Sequence, residues 1–309
     1  MTKRSGLLGT AEDAAEILSD GGICALPTET VYGLAALASD GKAVAKIYET
    51  KGRPSFNPLI VHCVSAEQAA SVVEFDDCGH GQAAAFWPGP LTIVLDRREG
   101  APVSELAGAG LGTLAVRVPA HPLTRKVIEI LGAPIVAPSA NRSGRLSPTR
   151  AEHVLEEFGG EVPVLDGGPC VAGIESTIIS LTKRQPILLR PGAIPAQEIE
   201  ARLRHPLGSP TGGIEAPGMM TSHYAPNAAL RLNAEGKRKG ELLLGFGGAE
   251  GADLDLSPSG DLKEAAANLF GYLRDLDVKG RPIAVTPIPE RGLGIAINDR
   301  LKRAAAPRP

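Results

Sequence analysis

The chain has 309 residues, 43% of them apolar and 22% charged, long enough for two domains at roughly 100–200 residues each and apolar enough for a packed core. A net charge of −3 and an aromatic content of 4% exclude strong non-specific attraction to nucleic acid and an aromatic platform for stacking single-stranded RNA, and leave room only for a local basic groove.

Thr10 is placed to cap a helix over about Ala11–Ser19, which Gly21-Gly22 ends. Ile23–Leu26 reads as a short strand running into Pro27, and Asp40 caps a second helix to about Thr50. Pro58–Val64 reads as a buried strand, and Ser65-Ala66-Glu67-Gln68 as a capping box opening another helix. Strands are expected at Leu91–Leu95 and Thr113–Val118, the second alternating Leu114, Val116 and Val118 on one face. Pro122–Leu131 is helical, Ile135–Ala137 a strand, and Thr149-Arg150-Ala151-Glu152 a second capping box for a helix to about Phe158. Strands follow near Val162–Leu165, Thr177–Leu181 and Pro186–Leu189. This irregular mixture predicts an α/β fold with a mixed sheet.

Periodicity is lost after about residue 204. The predicted organisation is a first domain over 1–204, a linker over 205–228 rich in Gly, Pro and Ser, and a small α/β domain over 229–309. In the last, Glu241–Phe246 and Pro282–Val285 read as strands, and Asp261–Leu276 and Arg291–Ala305 as helices. Gly245-Phe246-Gly247-Gly248 follows a strand but lacks dinucleotide-loop spacing, so a tight turn is expected.

Cys24, Cys63, Cys78 and Cys170 contain no C-x-x-C pair and are too few for a disulfide framework; Cys24 and Cys63, inside apolar runs, read as buried thiols. The apolar stretch after the basic start is too short for a secretory signal, and no segment reaches the ~20 apolar residues of a spanning helix, so a cytoplasmic protein without membrane partners is expected.

The sequence lacks a Walker A loop, H-E-x-x-H, G-x-S-x-G and a Cys/His zinc pattern, so no resident metal is expected. Polar clusters instead punctuate apolar runs, at a cost to any core that does not need them. Lys51 and Arg53 flank Gly52. In an extended loop both would face one anion, an ammonium beside a forked guanidinium; the alternative is a solvated surface pair. Ser139-Ala140-Asn141 is either a turn or part of a phosphate or ribose cradle. His62, ending an apolar run, is either structural or a site residue. Arg117, inside Ala115–Val118, needs an anion, either a buried carboxylate or that of a ligand. Thr30 and Ser176 can offer hydroxyls to a small polar substrate.

The run from Gly22 to His62, with Ser139/Asn141, Glu175-Ser176-Thr177 and Leu189-Arg190-Pro191-Gly192, closely resembles the YrdC-like family. Ala216–Pro226 resembles the S-P-G-M-x-x-x-H-Y-A-P linker signature of the two-domain branch, with Ala216 in place of Ser and no basic residue in Met220-Thr221-Ser222. Gly292–Leu301 resembles the branch's C-terminal signature. The resemblance implies a YrdC-like twisted mixed sheet with helices, then a linker and a small Rossmann-like domain. It implies an ATP-dependent nucleotidyltransferase that makes threonylcarbamoyl-AMP from L-threonine, bicarbonate or CO2, and ATP, with Mg²⁺, and hands it to a tRNA threonylcarbamoyl transferase.

By motif, the resemblance puts ATP on Lys51, Arg53, Asn57, Thr113, Ser139, Asn141, Ser147, Arg190 and Tyr224, with Lys51 and Arg53 as the catalytic cations. It puts threonine on Thr30, His62, Arg117 and Ser176, with Arg117 pairing its carboxylate, and makes the linker a lid. Two other readings compete. A module that weakly binds double-stranded RNA or tRNA is disfavoured by the negative charge. A carbamoyl-transfer domain of hydrogenase-maturation type is disfavoured because its acylphosphatase segment and zinc-finger cysteines are lacking.

Overall fold

The computed structural model describes residues 6–307 apart from 55, 211, 213–215 and 218–222. The basic N-terminal start and the Gly218–Ser222 part of the linker signature therefore lie outside the described residues.

The first unit is built on a ten-stranded mixed sheet. Its strands are β1 (Leu7–Leu8), β2 (Cys24–Leu26), β3 (Gly33–Leu37), β4 (Ile60–His62), β5 (Leu91–Asp96), β6 (Thr113–Arg117), β7 (Ile135–Val136), β8 (Val164–Leu165), β9 (Thr177–Ser180) and β10 (Ile187–Arg190), in the order β1-β8-β2-β3-β7-β4-β6-β5-β9-β10. The helices are α1 (Ala11–Ser19), α2 (Gly41–Lys51), α3 (Ala66–Ala69), α4 (Asp77–Phe86), α5 (Pro122–Leu131), α6 (Ala151–Phe158) and α7 (Ala196–Leu203).

Side-chain alternation divides the strands between two faces. Leu59, Val61, Leu114, Val116, Ile179 and Ile93 join the main core with residues of α2, α3, α4, α6 and α7. On the opposite face, α1 and α5 cover one part of the sheet. Ile60, Val94, Ala115, Ile178 and Leu189 form another apolar patch there, and the linker's Ala216 packs on it. β4 and β6 are parallel, with Ile60 opposite Ala115 and His62 opposite Arg117. That register puts His62 and Arg117 side by side on the face the linker covers.

The second unit is a four-stranded sheet, all of its pairs parallel, in the order β11-β14-β12-β13: β11 (Leu230–Arg231), β12 (Leu242–Gly245), β13 (Leu254–Asp255) and β14 (Ile283–Val285). It carries α8 (Leu262–Asp277) and α9 (Leu293–Ala305). Its core takes in Val31, Leu146, Ile174 and Tyr224 from the preceding segments, so the two units share a buried apolar interface. Gly173 makes the close approach: a Cβ there would lie 2.4 Å from Ala267 Cα, and its φ is +68°. No described helix is long and apolar enough to cross a membrane.

The mixed sheet and the small parallel unit match the fold expected, and most helices begin at the expected cap. Three expectations need correction. Thr149 does not cap α6: the N-cap is Arg150, which makes no side-chain cap bond, and the Thr149 N–H donates instead to His153 Nδ1. At Ser65 only half the box forms, since Gln68 Oε1 accepts from Val64 N–H rather than from the cap residue. Lys51 is not in an extended loop but in the last turn of α2, which ends at Gly52 with φ +59°. β1, β3, β11, β13, α4 and α7 had no counterpart in the sequence reading. The Gly245–Gly248 turn is as expected, and Asp255 Oδ2 accepts from the N–H groups of Gly248 and Ala249.

Candidate active site

A small cavity lies on the linker-covered face of the sheet. Thr30, Arg53, His62, Arg117, Ser139, Ser176, Arg190 and Tyr224, all singled out by sequence, line it together with Thr28, Glu175, Pro217 and His223.

The turn between β2 and β3 is fixed by Thr28, whose hydroxyl donates to Val31 O at 2.6 Å and lies 2.7 Å from the Thr30 hydroxyl. Thr30 Oγ1 also accepts from Arg117 Nη1 at 3.0 Å. Arg117 is buried, and its anion is a protein carboxylate: Nη2 lies 2.7 Å from Glu29 Oε1, while Nε donates to Gly89 O. This decides between the alternatives left open for the charge balance of Arg117. The guanidinium has five N–H donors, so it keeps capacity for a ligand.

His62 donates from Nδ1 to Ile60 O at 3.1 Å, given the neutral tautomer. Burial, then the charge of Arg117, pushes its pKa down to about 3. The ring is thus an uncharged wall beside Thr30 and Arg117.

Arg53 is held by the carbonyls of Asn57 (Nε, 3.2 Å) and Pro58 (Nη2, 2.9 Å), and burial lowers its pKa to about 10. Arg190 donates to Ser176 O and Oγ and, from Nη1, to Pro217 O in the linker. The Ser176 hydroxyl lies 2.7 Å from that of Thr92.

The remaining candidates are placed differently. Lys51 is buried, and its ammonium donates to Ser139 O and Asn141 O, tying the end of α2 to the Ser-Ala-Asn loop behind the cavity. Burial, then Arg53, pushes its pKa well below the lysine range. Asn141 Nδ2 donates to Arg142 O and Arg145 O. Asn57 is buried, and its carbonyl accepts from Tyr48 and Arg53. Ser147 donates to Glu175 Oε1 at 2.5 Å. Thr113 shares the face of Arg117 but stands four residues away, about 13 Å at 3.3 Å per residue. None of these five lines the cavity.

Tyr224 closes the cavity from the linker. Its backbone is left-handed, φ 61°, its side chain is buried, and Ala225 N–H donates to Gly144 O at 2.8 Å. Its ring meets His223 edge-on at 4.1 Å and Phe270 of α8 at 5.6 Å. Burial, then the cations Arg53, Lys51, Arg190 and Arg300, pushes the His223 pKa far down. Glu29, Thr92, Glu175, His223 and Arg300 were not singled out as site residues. Glu29 and Glu175 sit inside the polar clusters, where a carboxylate beside expected cations is the available signal.

A family model described as "Telomere recombination" (Sua5/YciO/YrdC) matches residues 16–192, and one described as "Threonylcarbamoyl-AMP synthase, C-terminal domain" matches 194–306. The chain belongs to the YrdC-like family. Its two-unit layout is that of the two-domain branch, whose members are nucleotidyltransferase enzymes. A relative from Pyrococcus abyssi named threonylcarbamoyl-AMP synthase is 42% identical, covering 94% of this chain and 93% of its own. The crystal structure described as P. abyssi Sua5 complexed with L-threonine superposes with a TM-score of 0.88 at 39% identity, over 96% of this chain and 94% of that one. A shorter YrdC-like relative from Neisseria meningitidis, also named threonylcarbamoyl-AMP synthase, is 33% identical over 151 residues, 48% of this chain and 79% of its own.

Proposed function

We propose that the chain condenses L-threonine, bicarbonate or CO2, and ATP into threonylcarbamoyl-AMP, releasing pyrophosphate and water. In this reading a transferase passes the product to tRNA, forming threonylcarbamoyl-adenosine next to the anticodon, in the cytoplasm. The observation that carries the reading is one buried cavity in which Arg53, Arg117 and Arg190 converge beside Thr30, His62 and Ser176. The threonine-bound P. abyssi structure, alike over almost the whole chain, supports it.

Threonine sits among Thr30, His62, Arg117 and Ser176. Arg117, already balanced by Glu29, offers its remaining N–H groups to the carboxylate. The neutral His62 can lie beside an amine without repelling it. The amine takes up CO2, and the carbamate oxygen attacks the α-phosphorus of ATP while pyrophosphate departs. The step needs alignment and charge neutralisation rather than a protein nucleophile, and the cations Arg53 and Arg190 suit the phosphates. Lys51 supports that side by holding the Ser139 and Asn141 carbonyls, and Tyr224 contacts the nucleotide from the lid.

Mg²⁺ fits as an ion carried by ATP. Among the described residues no three His, Cys, Asp or Glu side chains converge as a cage, and both carboxylates at the site are engaged by arginines. When bound, it would neutralise phosphate charge. Linker closure would shield the carbamate and the mixed anhydride from water.

The test is pyrophosphate release from Mg²⁺-ATP in bicarbonate buffer, with and without L-threonine. Release that requires both threonine and bicarbonate, and falls about 100-fold or more in Arg53→Ala, is expected. Release indifferent to threonine, or none, overturns the reading; retention of tRNA in a salt-sensitive gel shift would then favour an RNA-binding module.

A further inference from the structure

The second unit reaches the back of the cavity with a buried charge as well as apolar contacts. Arg300, on α9, is 1% exposed. Its Nε donates to Glu175 Oε2 at 3.0 Å, its Nη1 donates to Pro191 O, and its guanidinium carbon lies 5.3 Å from the centre of the Tyr224 ring. These partners belong to three separate segments. Glu175 precedes Ser176, Pro191 follows Arg190, and Tyr224 belongs to the linker. Asp299 Oδ2 accepts from the same Nη1 and, through Oδ1, from Arg303, which fixes the guanidinium from its own helix. The other carboxylate oxygen of Glu175 accepts from Ser147, so both are engaged within the protein.

We propose that Arg300 is a positioning residue of the active site: from the second unit it holds the cavity-lining Glu175, fixes Pro191 next to Arg190, and docks Tyr224 against the cavity. This rests on the proposed reaction only for its kinetic readout. The fork-shaped, planar guanidinium is what the place requires, because it donates in two directions while one face lies on an aromatic ring; a lysine ammonium cannot do both. The N. meningitidis relative aligns over only 48% of this chain, so a protein of the family can be built without a second unit. In this chain the second unit instead backs two residues of the wall, Glu175 and Tyr224.

Arg300→Lys and Arg300→Met test the proposal in the full-length chain, with thermal unfolding to confirm the fold. The Ala225 N–H, directly after Tyr224, donates to Gly144 O, so hydrogen exchange at Ala225 reports docking of Tyr224 without reference to catalysis. In folded variants this exchange is expected to be at least about tenfold faster than in wild type, and kcat for pyrophosphate release at least about tenfold lower. Affinity for L-threonine by calorimetry should change less than about threefold, because its expected contacts lie in the first unit.

If folded Arg300→Lys protects the Ala225 N–H and keeps kcat as wild type does, the proposal is overturned. Wild type that releases no pyrophosphate sinks the functional reading alone, and the exchange comparison still decides the role of Arg300. If both single variants fail to fold, Arg300→Met/Glu175→Gln, which removes both charges of the buried pair, carries the exchange comparison alone, because Glu175 lines the cavity and its change would itself move kcat.

Discussion

Two buried arginine–glutamate pairs border the cavity, and they are built in different ways. Arg117 and Glu29 are 88 positions apart in sequence but belong to one sheet: Arg117 ends β6 and Glu29 sits in the β2–β3 turn. Arg300 and Glu175 bridge the two units. The same chemistry thus serves two purposes. The first pair fixes the Thr30 side of the cavity from within the first unit. The second ties the Tyr224 side to the second unit.

Three measurements would break or sharpen this contrast. Arg117→Ala leaves the Glu29 carboxylate buried without its cation, and a loss of about 3–5 kcal/mol is expected in urea unfolding, together with loss of threonine binding. A loss under about 1 kcal/mol would mean that Glu29 finds another partner or water. Gly173→Ala puts a methyl group into α8 at a left-handed position, where overpacking costs about 1–3 kcal/mol. It should lower thermal stability and speed hydrogen exchange at Ala225 while threonine affinity stays near wild type. Unchanged protection of Ala225 would show that the units dock independently of that contact.

The third measurement is the pH dependence of stability. His62 and His153 are buried, with pKa values lowered to about 3 and about 4, by burial first and then by Arg117 for His62 and by Arg274 for His153; His223 is also lowered. The native state therefore holds these rings neutral, and the unfolded chain binds more protons below about pH 6.5. Their contribution is complete above that pH and lost as pH falls towards the native values. Stability should drop by roughly 1 kcal/mol per histidine between pH 7 and pH 5.5, read as proton uptake on unfolding. A flat profile would mean that the rings are already charged in the folded protein.

Some local features were plain from residue patterns. Thr10 caps α1 with a full box, and α5 spans Pro122–Leu131 because Pro at its start and Gly132 after its end bracket an amphipathic run. Others were hidden for physical reasons. Gly33–Leu37 holds two alanines between leucines, with no β-branched residue, and becomes a strand only because β2 and β7 flank it on both sides. α4 contains two glycines and a weak apolar stripe, so packing rather than propensity makes it helical. Lys51 was misread because the pattern Lys-Gly-Arg suits an extended loop, whereas Gly52 acts here as the left-handed end of a helix.

By itself the sequence determined that apolar runs end in clusters of Arg, Thr, Ser and His, that two α/β units are joined by a Pro/Gly-rich segment, and which family those motifs resemble. These are local or pattern properties, carried by residue type and spacing. Tertiary structure alone decided which cations face the cavity. Arg53, Arg117 and Arg190 do, while Lys51 is drawn behind the wall by two carbonyls. It also decided that Arg117 is balanced by Glu29 and that Arg300, from the far end of the chain, stands behind Tyr224. A buried charge must find its partner wherever the fold brings one within reach, and spacing along the chain does not record that proximity.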